Sequence, residues 1–196
     1  MNFPAVRTPL FWLFFTCLFL ASATLISAQD KDWRPISPDE LSQKTPLVEP
    51  DADAEAIFWE VRVDDSKADE LALKHYVRVK IFTERGRDQF SKHDIAFPKG
   101  TRVKDVDARV TKPDGTVVPI KKEDIIEHEI VKTNGFKVKA KSFAFPGLEV
   151  GSIVEYKYRE VIDNAEARMR LIFQRDIPIR DISYYVKPFN GTRSMF

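Results

Sequence analysis

The feature that most constrains the fold of this chain is the alternation of apolar and polar residues that begins near Ile57. In the segment IFWEVRV, Ile, Trp, Val and Val occupy every second position, with Glu and Arg between them. A period of two places successive side chains on opposite faces of a β-strand. The segment LKHYVRVKIFT repeats the pattern and predicts a core-facing set that includes His75, with Lys74, Arg78 and Lys80 in solvent. The acidic loop between the segments predicts that they pair.

Residues that favour turns recur along the rest of the chain. Pro-Asp-Gly at 113–115 supplies a fixed φ, a side-chain-capped bend and a residue that tolerates positive φ, which predicts a hairpin. Pro-Gly at 146–147 and then Gly151 predict a bend into the strand IVEYKYREV, and Pro119 indicates an edge strand. Short strands at this spacing are typical of an all-β fold. We therefore expect an antiparallel β-sandwich over residues 56–196.

The segment NGFKVKAKSFAFPG changes the parity of its apolar positions. Phe136, Val138 and Ala140 share one face of an ideal strand, whereas Phe143 and Phe145 share the other. An inserted residue near Lys141 or Ser142, forming a β-bulge, would bring all five to one core. The remaining positions form a basic stripe of Lys137, Lys139 and Lys141, which solubility explains most simply.

The N-terminus reads as a secretory signal peptide over residues 1–28. Arg7 is the only charged residue before Asp30, and an apolar run from Leu10 ends in small residues with a cleavage site after Ala28. The alternative is an uncleaved membrane anchor at residues 10–26, for which the run is short. Cleavage would remove Cys17, the only cysteine, so no disulfide could form. The predicted location is therefore periplasmic or extracellular.

Residues 29–55 read as a linker that contains one short helix. Ser37 can cap it, Pro38 fits its first turn, and Glu40 stands where a capping box requires an acid. The alternative is a disordered connection between the leader and the domain.

At the other end, Asn190 and Gly191 form a favoured hairpin turn with too few residues after it for a full strand. We therefore expect the chain to be the N-terminal piece of a longer protein, with its β-domain truncated.

Composition and side-chain inventory predict no catalytic, metal or cofactor residues. The 31 basic residues, Arg7 included, balance 30 acidic residues, so nucleic acid is not an expected partner. His75 is expected in the core, and His93 and His128 lack metal-ligand spacing. No serine lies in a Gly-x-Ser-x-Gly elbow. The acidic groups fit solvated turns better than calcium loops.

Four stretches together resemble a known family: WRPISPDEL, HYVRVKIFTERG, VKDVDARVTKPDGTVVPI and FAFPGLEVGSIVEYKYREV. The chain is similar, from about Trp33 onward, to domain-of-unknown-function family 3857. Val150 departs mildly from the pattern, which often has proline there. The resemblance implies a β-sandwich in an exported protein, followed by a transglutaminase-like domain with a Cys-His-Asp triad. This chain lacks that triad, and the family offers no catalytic residues to assign.

We therefore expect a non-catalytic module that positions or recognises substrate for a downstream transglutaminase-like domain. The alternative is a stand-alone module that binds glycan or peptide through exposed aromatic rings. Its candidate residues are Tyr76, Phe82 and Tyr185, on faces opposite the predicted cores unless a second layer buries them. A third option is a structural spacer, which contacts the membrane through an uncleaved N-terminal segment.

Overall fold

The computed structural model describes residues 33–67, 69–133, 136–163 and 171–190. The predicted leader at 1–28 and Gly191 of the predicted C-terminal turn lie outside these ranges. All the helices and strands below belong to the compact unit that begins at Ile36. Within the described residues, no helix has the length and apolar character needed to cross a membrane.

The secondary structure is mainly strand, with two short helices and one 3₁₀ turn. In chain order the elements are α1 (Pro38–Ser42), β1 (Ala54–Asp64), β2 (Glu70–Ile81), α2 (Glu84–Phe90), β3 (Lys92–Pro98), β4 (Thr101–Thr111), β5 (Val117–Pro119), the 3₁₀ turn (Lys122–Asp124), β6 (Ile126–Thr133), β7 (Phe136–Ala144), β8 (Ile153–Asp163) and β9 (Ile182–Lys187).

The larger sheet has six strands in the order β5-β4-β8-β2-β1-β9. β1 and β2 pair antiparallel as predicted, and β4 and β5 form the predicted hairpin, in which Gly115 has φ +85°. Pro119 lies on the edge strand, also as predicted. β9 pairs parallel to β1, whereas an antiparallel sheet was expected. The amide of Arg180 bonds to the carbonyl of Ala56, so the chain enters beside the start of β1 and runs in the same direction.

The smaller sheet has three antiparallel strands in the order β3-β7-β6. One of its faces packs on the larger sheet, where Ile95, Phe97 and Phe143 join Val79 and Val154 in one apolar core. Two sheets that share a core in this way form a sandwich-like arrangement. The all-β prediction is confirmed.

The predicted β-bulge in β7 is wrong. β7 pairs with β3 in an unbroken register from Val138 to Ala144, and the irregularity lies instead in β6, between Glu129 and Val131. The apolar core contacts the face of β7 that carries Phe143. Ala140 is buried on the opposite face, so no inserted residue is needed to bury it. Consequently Lys139 and Lys141 share the inward face with Phe143.

Two local predictions have different outcomes. The capping box of α1 is confirmed, since the Ser37 hydroxyl accepts from the amide of Glu40 at 3.1 Å and the Glu40 carboxylate accepts from the amide of Ser37 at 2.7 Å. The segment ERGRD, in which Gly86 would favour a turn, forms α2. The Thr83 hydroxyl caps that helix by accepting from the amide of Gly86. This cap stabilises the helix enough to offset the low helix propensity of glycine.

Replacing Gly86 by alanine is expected to lower the free energy of unfolding by about 2 kcal/mol. A Cβ at this position would lie 2.3 Å from the carbonyl oxygen of Asp53, which is backbone and accepts a bond from the amide of Phe82. Urea denaturation measures the change. Gln89→Ala on the exposed side of the same helix is the control, and an equal effect of both changes would contradict the close-contact argument.

Candidate functional site

The face of the six-stranded sheet that points away from the core is partly covered. Arg78 and Lys80 were predicted to face solvent, yet their residues are only 2% and 0% exposed. The segment that contains α1 contacts both side chains and excludes water from them. The prediction failed because the covering segment lies about forty residues away in sequence, at Glu40 and Leu41. We call this region the covered face.

Glu155 lies at the centre of the covered face. One of its oxygens accepts from the Tyr76 hydroxyl at 2.6 Å and from Arg78 Nε and Nη2 at 2.9 and 2.8 Å. Its other oxygen accepts from Arg109 Nε at 2.6 Å. Arg78 also donates to Glu40 of α1 at 3.0 Å. Because Arg78, Glu155 and Arg109 occupy one cross-strand row of β2, β8 and β4, the sheet register itself aligns the three charges.

A second group of contacts holds the N-terminal segment to the same face. The Lys80 ammonium donates to the carbonyl oxygens of Leu41 and Gly151 at 2.7 and 2.6 Å, and burial lowers its pKa to about 8. Glu55 accepts from the amides of Leu47 and Val48 at 2.8 and 2.7 Å. These polar groups are satisfied within the protein, so their role is to attach the segment to the sheet.

The structure separates the three aromatic residues predicted to bind ligand. Tyr76 is 9% exposed, because it lies on the covered face and donates to Glu155. Phe82 follows the end of β2 and is half-buried. Tyr185 on β9 is 53% exposed, with the Arg62 guanidinium 5.1 Å from its ring centroid. Tyr185 and Arg62 also line a cavity of about 450 Å³. The three rings therefore form no common site.

Buried His75 and half-buried His93 both lie in aromatic surroundings. His75 is buried as predicted and stacks on Tyr158 at a centroid distance of 4.3 Å. His93 faces the core, 4.3 Å from the ring centroid of Tyr156 and 5.5 Å from that of Phe143. Burial lowers the pKa of His93 to about 4. Among the described residues, no three His, Cys, Asp or Glu side chains are grouped so that they could hold a metal ion.

The outer face of the smaller sheet places the residue types of a nucleophilic triad together, but in a different order. The Ser142 hydroxyl donates to Asp94 at 2.5 Å and lies 3.4 Å from Nδ1 of His128. In a serine triad the imidazole stands between the serine and the carboxylate. Here the serine stands in the middle, and its hydrogen bond lowers the pKa of Asp94, which makes that carboxylate a weaker base.

A cleft of about 460 Å³ opens between β4 and the inward face of β6 and β7. Its lining includes the core residues Phe97 and Val103, and Glu127 is its one acidic residue. The basic residues of the lining are Lys99, Arg102, Lys104, Lys137, Lys139 and Lys141. We call this set of residues the cationic cleft.

The charges of the cationic cleft are only partly neutralised. Glu127 accepts from Lys139 at 2.6 Å and lies 3.5 Å from Lys141. Lys137 pairs with Glu129 at 2.8 Å, and Arg102 pairs with Asp163. The hydrogen bond from Lys139 lowers the pKa of Glu127, so the carboxylate is ionised at neutral pH. At the mouth of the cleft Lys99 and Lys104 are exposed, and no carboxylate in the described ranges lies within ion-pair distance of either ammonium. The cleft therefore carries net positive charge beside an apolar base.

Sequence reasoning found part of this site and misassigned it. The stripe of Lys137, Lys139 and Lys141 was interpreted as a soluble surface. The structure places it on the face that carries Phe143, so the stripe points into the cleft. The sequence did contain a signal for this: the three lysines lie an even number of positions before Phe143, which places them on the same face of a regular strand. The contributions of Lys99 and Lys104 were missed, because only the tertiary structure brings β4 opposite β7.

Comparison with known proteins identifies the family. The profile of DUF3857, a domain of unknown function with a solved structure, matches residues 68–192. The chain belongs to this family. No curated protein matches the sequence. The DUF3857 match contains every strand that lines the cationic cleft, whereas α1 and β1 precede it.

One solved structure shares the fold of this chain, and a second likeness is weak. A protein of Parabacteroides distasonis named a "putative protease" superposes with a TM-score of 0.54 and 16% identity, over 68% of this chain and 29% of that one. An M1 zinc metallopeptidase of Deinococcus radiodurans gives a TM-score of 0.26 and 10% identity, over 59% of this chain and 22% of that one. The first likeness shows the fold alone, and the second is too weak to support an argument. The chain thus spans less than a third of the first of these proteins.

Proposed function

We propose that this DUF3857 chain is a non-catalytic recognition module of an exported protein, and that it presents substrate to a further, transglutaminase-like domain. The observation that carries the proposal is the cationic cleft, an accessible concave site whose polar groups are almost all basic. Sites that combine an apolar base with a few charged groups are typical of ligand recognition. The printed name of the longer Parabacteroides relative, a "putative protease", supports a peptide substrate.

The side chains that most resemble catalytic groups are arranged in a way that supports a binding role. Ser142 donates to Asp94 instead of to an imidazole, and Asp94 is a weak base. His93 is enclosed by aromatic rings, away from the cleft mouth. Catalysis would need a nucleophile and a base within hydrogen-bond reach of one substrate atom, and these groups do not meet that condition.

The proposal is tested by two measurements on the purified full chain. Peptide amide hydrolysis and acyl transfer to an amine are assayed first, and no turnover above the buffer rate is expected. Binding to peptide and glycan arrays is measured second, and peptide binding is expected. Enzyme-like turnover would contradict the proposal. A signal from glycans alone would favour the alternative module, for which the exposed ring of Tyr185 is the supporting observation.

A further inference from the structure

Resting on the proposed function, we infer that the cationic cleft binds an acidic segment of polypeptide in an extended conformation. The segment would lie beside the open edge of β4, with alternate carboxylates toward the lysines of β7. This inference names the chemical class of the ligand, which the recognition role alone leaves open. Three features of the cleft carry it: its charge, the spacing of its lysines and the unpaired edge of a strand.

Charge selects an anionic ligand. Six basic side chains line the cleft, with Glu127 as the one acid among them. Glu127, Glu129 and Asp163 neutralise part of this charge, and Lys99 and Lys104 at the cleft mouth leave an excess of positive charge that a ligand carboxylate can pair with. The chain as a whole is nearly neutral, at formal charge +1. The positive field is therefore local to the cleft and not a property of the entire surface.

The spacing of the lysines fits an extended peptide. Lys137, Lys139 and Lys141 alternate along β7, which pairs regularly with β3 from Lys92 to Pro98. Alternate residues of a strand repeat every ~6.6 Å. An extended ligand has the same repeat, so carboxylates at every second position can face successive lysines without distortion of either chain.

The edge of β4 offers the backbone of the ligand a partner. β5 pairs only with Arg109–Thr111, so within the described residues the stretch Thr101–Lys104 has β8 on one side and no strand on the other. A bulge between Lys104 and Asp107 separates the two regions, with Asp105 at φ +53°. Addition of a strand to such an edge is a common mode of peptide recognition. A glycan lacks the regularly alternating backbone amides and carbonyls that this pairing needs, which favours a peptide.

Glu127 sets the affinity in this arrangement. It already pairs with Lys139 and Lys141, so a ligand carboxylate competes with it for the same ammonium groups. Removing its charge should therefore strengthen the binding of an acidic peptide. If the ion pairs of Glu127 were purely structural, no such gain in affinity would be expected. The Glu127→Gln variant therefore distinguishes the two roles most clearly.

The experiment measures fluorescence anisotropy of a labelled octapeptide that alternates glutamate and threonine, with the full chain at low salt. Glu127→Gln is expected to tighten binding about threefold and Lys139→Glu to weaken it about tenfold. Lys122→Glu makes the same charge change in the 3₁₀ turn, outside the cleft, and should stay within about twofold. If Lys139→Glu does not fold, Lys104→Glu at the exposed cleft mouth replaces it and should also weaken binding.

Defined results would overturn the inference. Equal weakening by Lys139→Glu and Lys122→Glu would mean non-specific attraction. Equal affinity for a peptide of the same composition with its four glutamates in one block would exclude the alternating register. Displacement by polygalacturonate at a lower carboxylate concentration than the peptide would indicate a glycan ligand. Binding of neutral peptides only would overturn this inference and leave the proposed recognition role standing, whereas enzymatic turnover would overturn that role.

Discussion

Glu155→Gln is expected to lower the free energy of unfolding by about 3–5 kcal/mol, the usual cost of removing one partner from a buried ion pair. The Glu155 carboxylate is fully buried and accepts hydrogen bonds from Tyr76, Arg78 and Arg109. A glutamine keeps the shape but removes the negative charge. Two guanidinium groups then remain buried without the Glu155 charge, and Arg78 keeps its contact with Glu40. Neither guanidinium can lose its proton to relieve the cost.

Urea denaturation of the two proteins at pH 7 measures this change. Glu149→Gln, on the exposed turn before β8, is the matched control, because its contact to Lys112 is long and solvent-accessible. That variant is expected to differ from the parent by less than about 0.5 kcal/mol. A loss below about 1 kcal/mol for Glu155→Gln would show that water reaches the network and would contradict its burial.

The contrast between Arg78 and Val79 shows what sequence periodicity can predict. Alternation correctly places these side chains on opposite faces of β2. It cannot state which faces are covered, because that depends on where α1 and residues 43–48 pack. A charged residue is usually exposed, and the burial of Arg78 is compensated by Glu155 and Glu40, which are distant in sequence.

The cleft shows the same limit for the candidate site. Local signals correctly gave the capping box at Ser37, the hairpin at Gly115 and the strand character of β7. The direction of Lys139 depended on whether a bulge interrupts β7, a choice that the neighbouring strands make. Parallel pairing of β9 was likewise set by a contact at Ala56 that no local pattern encodes. Local structure was thus predictable, and the assembly of the site was not.

The ring of His93 is packed among four aromatic side chains. The centroid distances are 4.3 Å to Tyr156, 5.5 Å to Phe143, 6.3 Å to Phe145 and 6.5 Å to Phe90. Burial in this cage lowers the pKa from 6.5 to about 4, against a smaller opposing influence of Asp94. The folded protein therefore holds a neutral imidazole at pH values where the unfolded chain binds a proton.

Acidification from pH 6.5 to 4 is expected to lower the free energy of unfolding by about 3 kcal/mol through His93. The contribution is fully present above pH 6.5 and is lost as pH falls toward 4, because the unfolded state binds the extra proton. Carboxylates with lowered pKa, such as Asp53 and Asp94, add their losses only below about 4.

Urea denaturation at several pH values gives the slope of the free energy of unfolding against pH. His93→Phe should flatten it, since phenylalanine suits the cage and cannot titrate, whereas His128→Gln should leave it because the cage stays intact. An unchanged slope in His93→Phe would assign the acid sensitivity to other groups and would contradict the burial of a neutral imidazole as its cause.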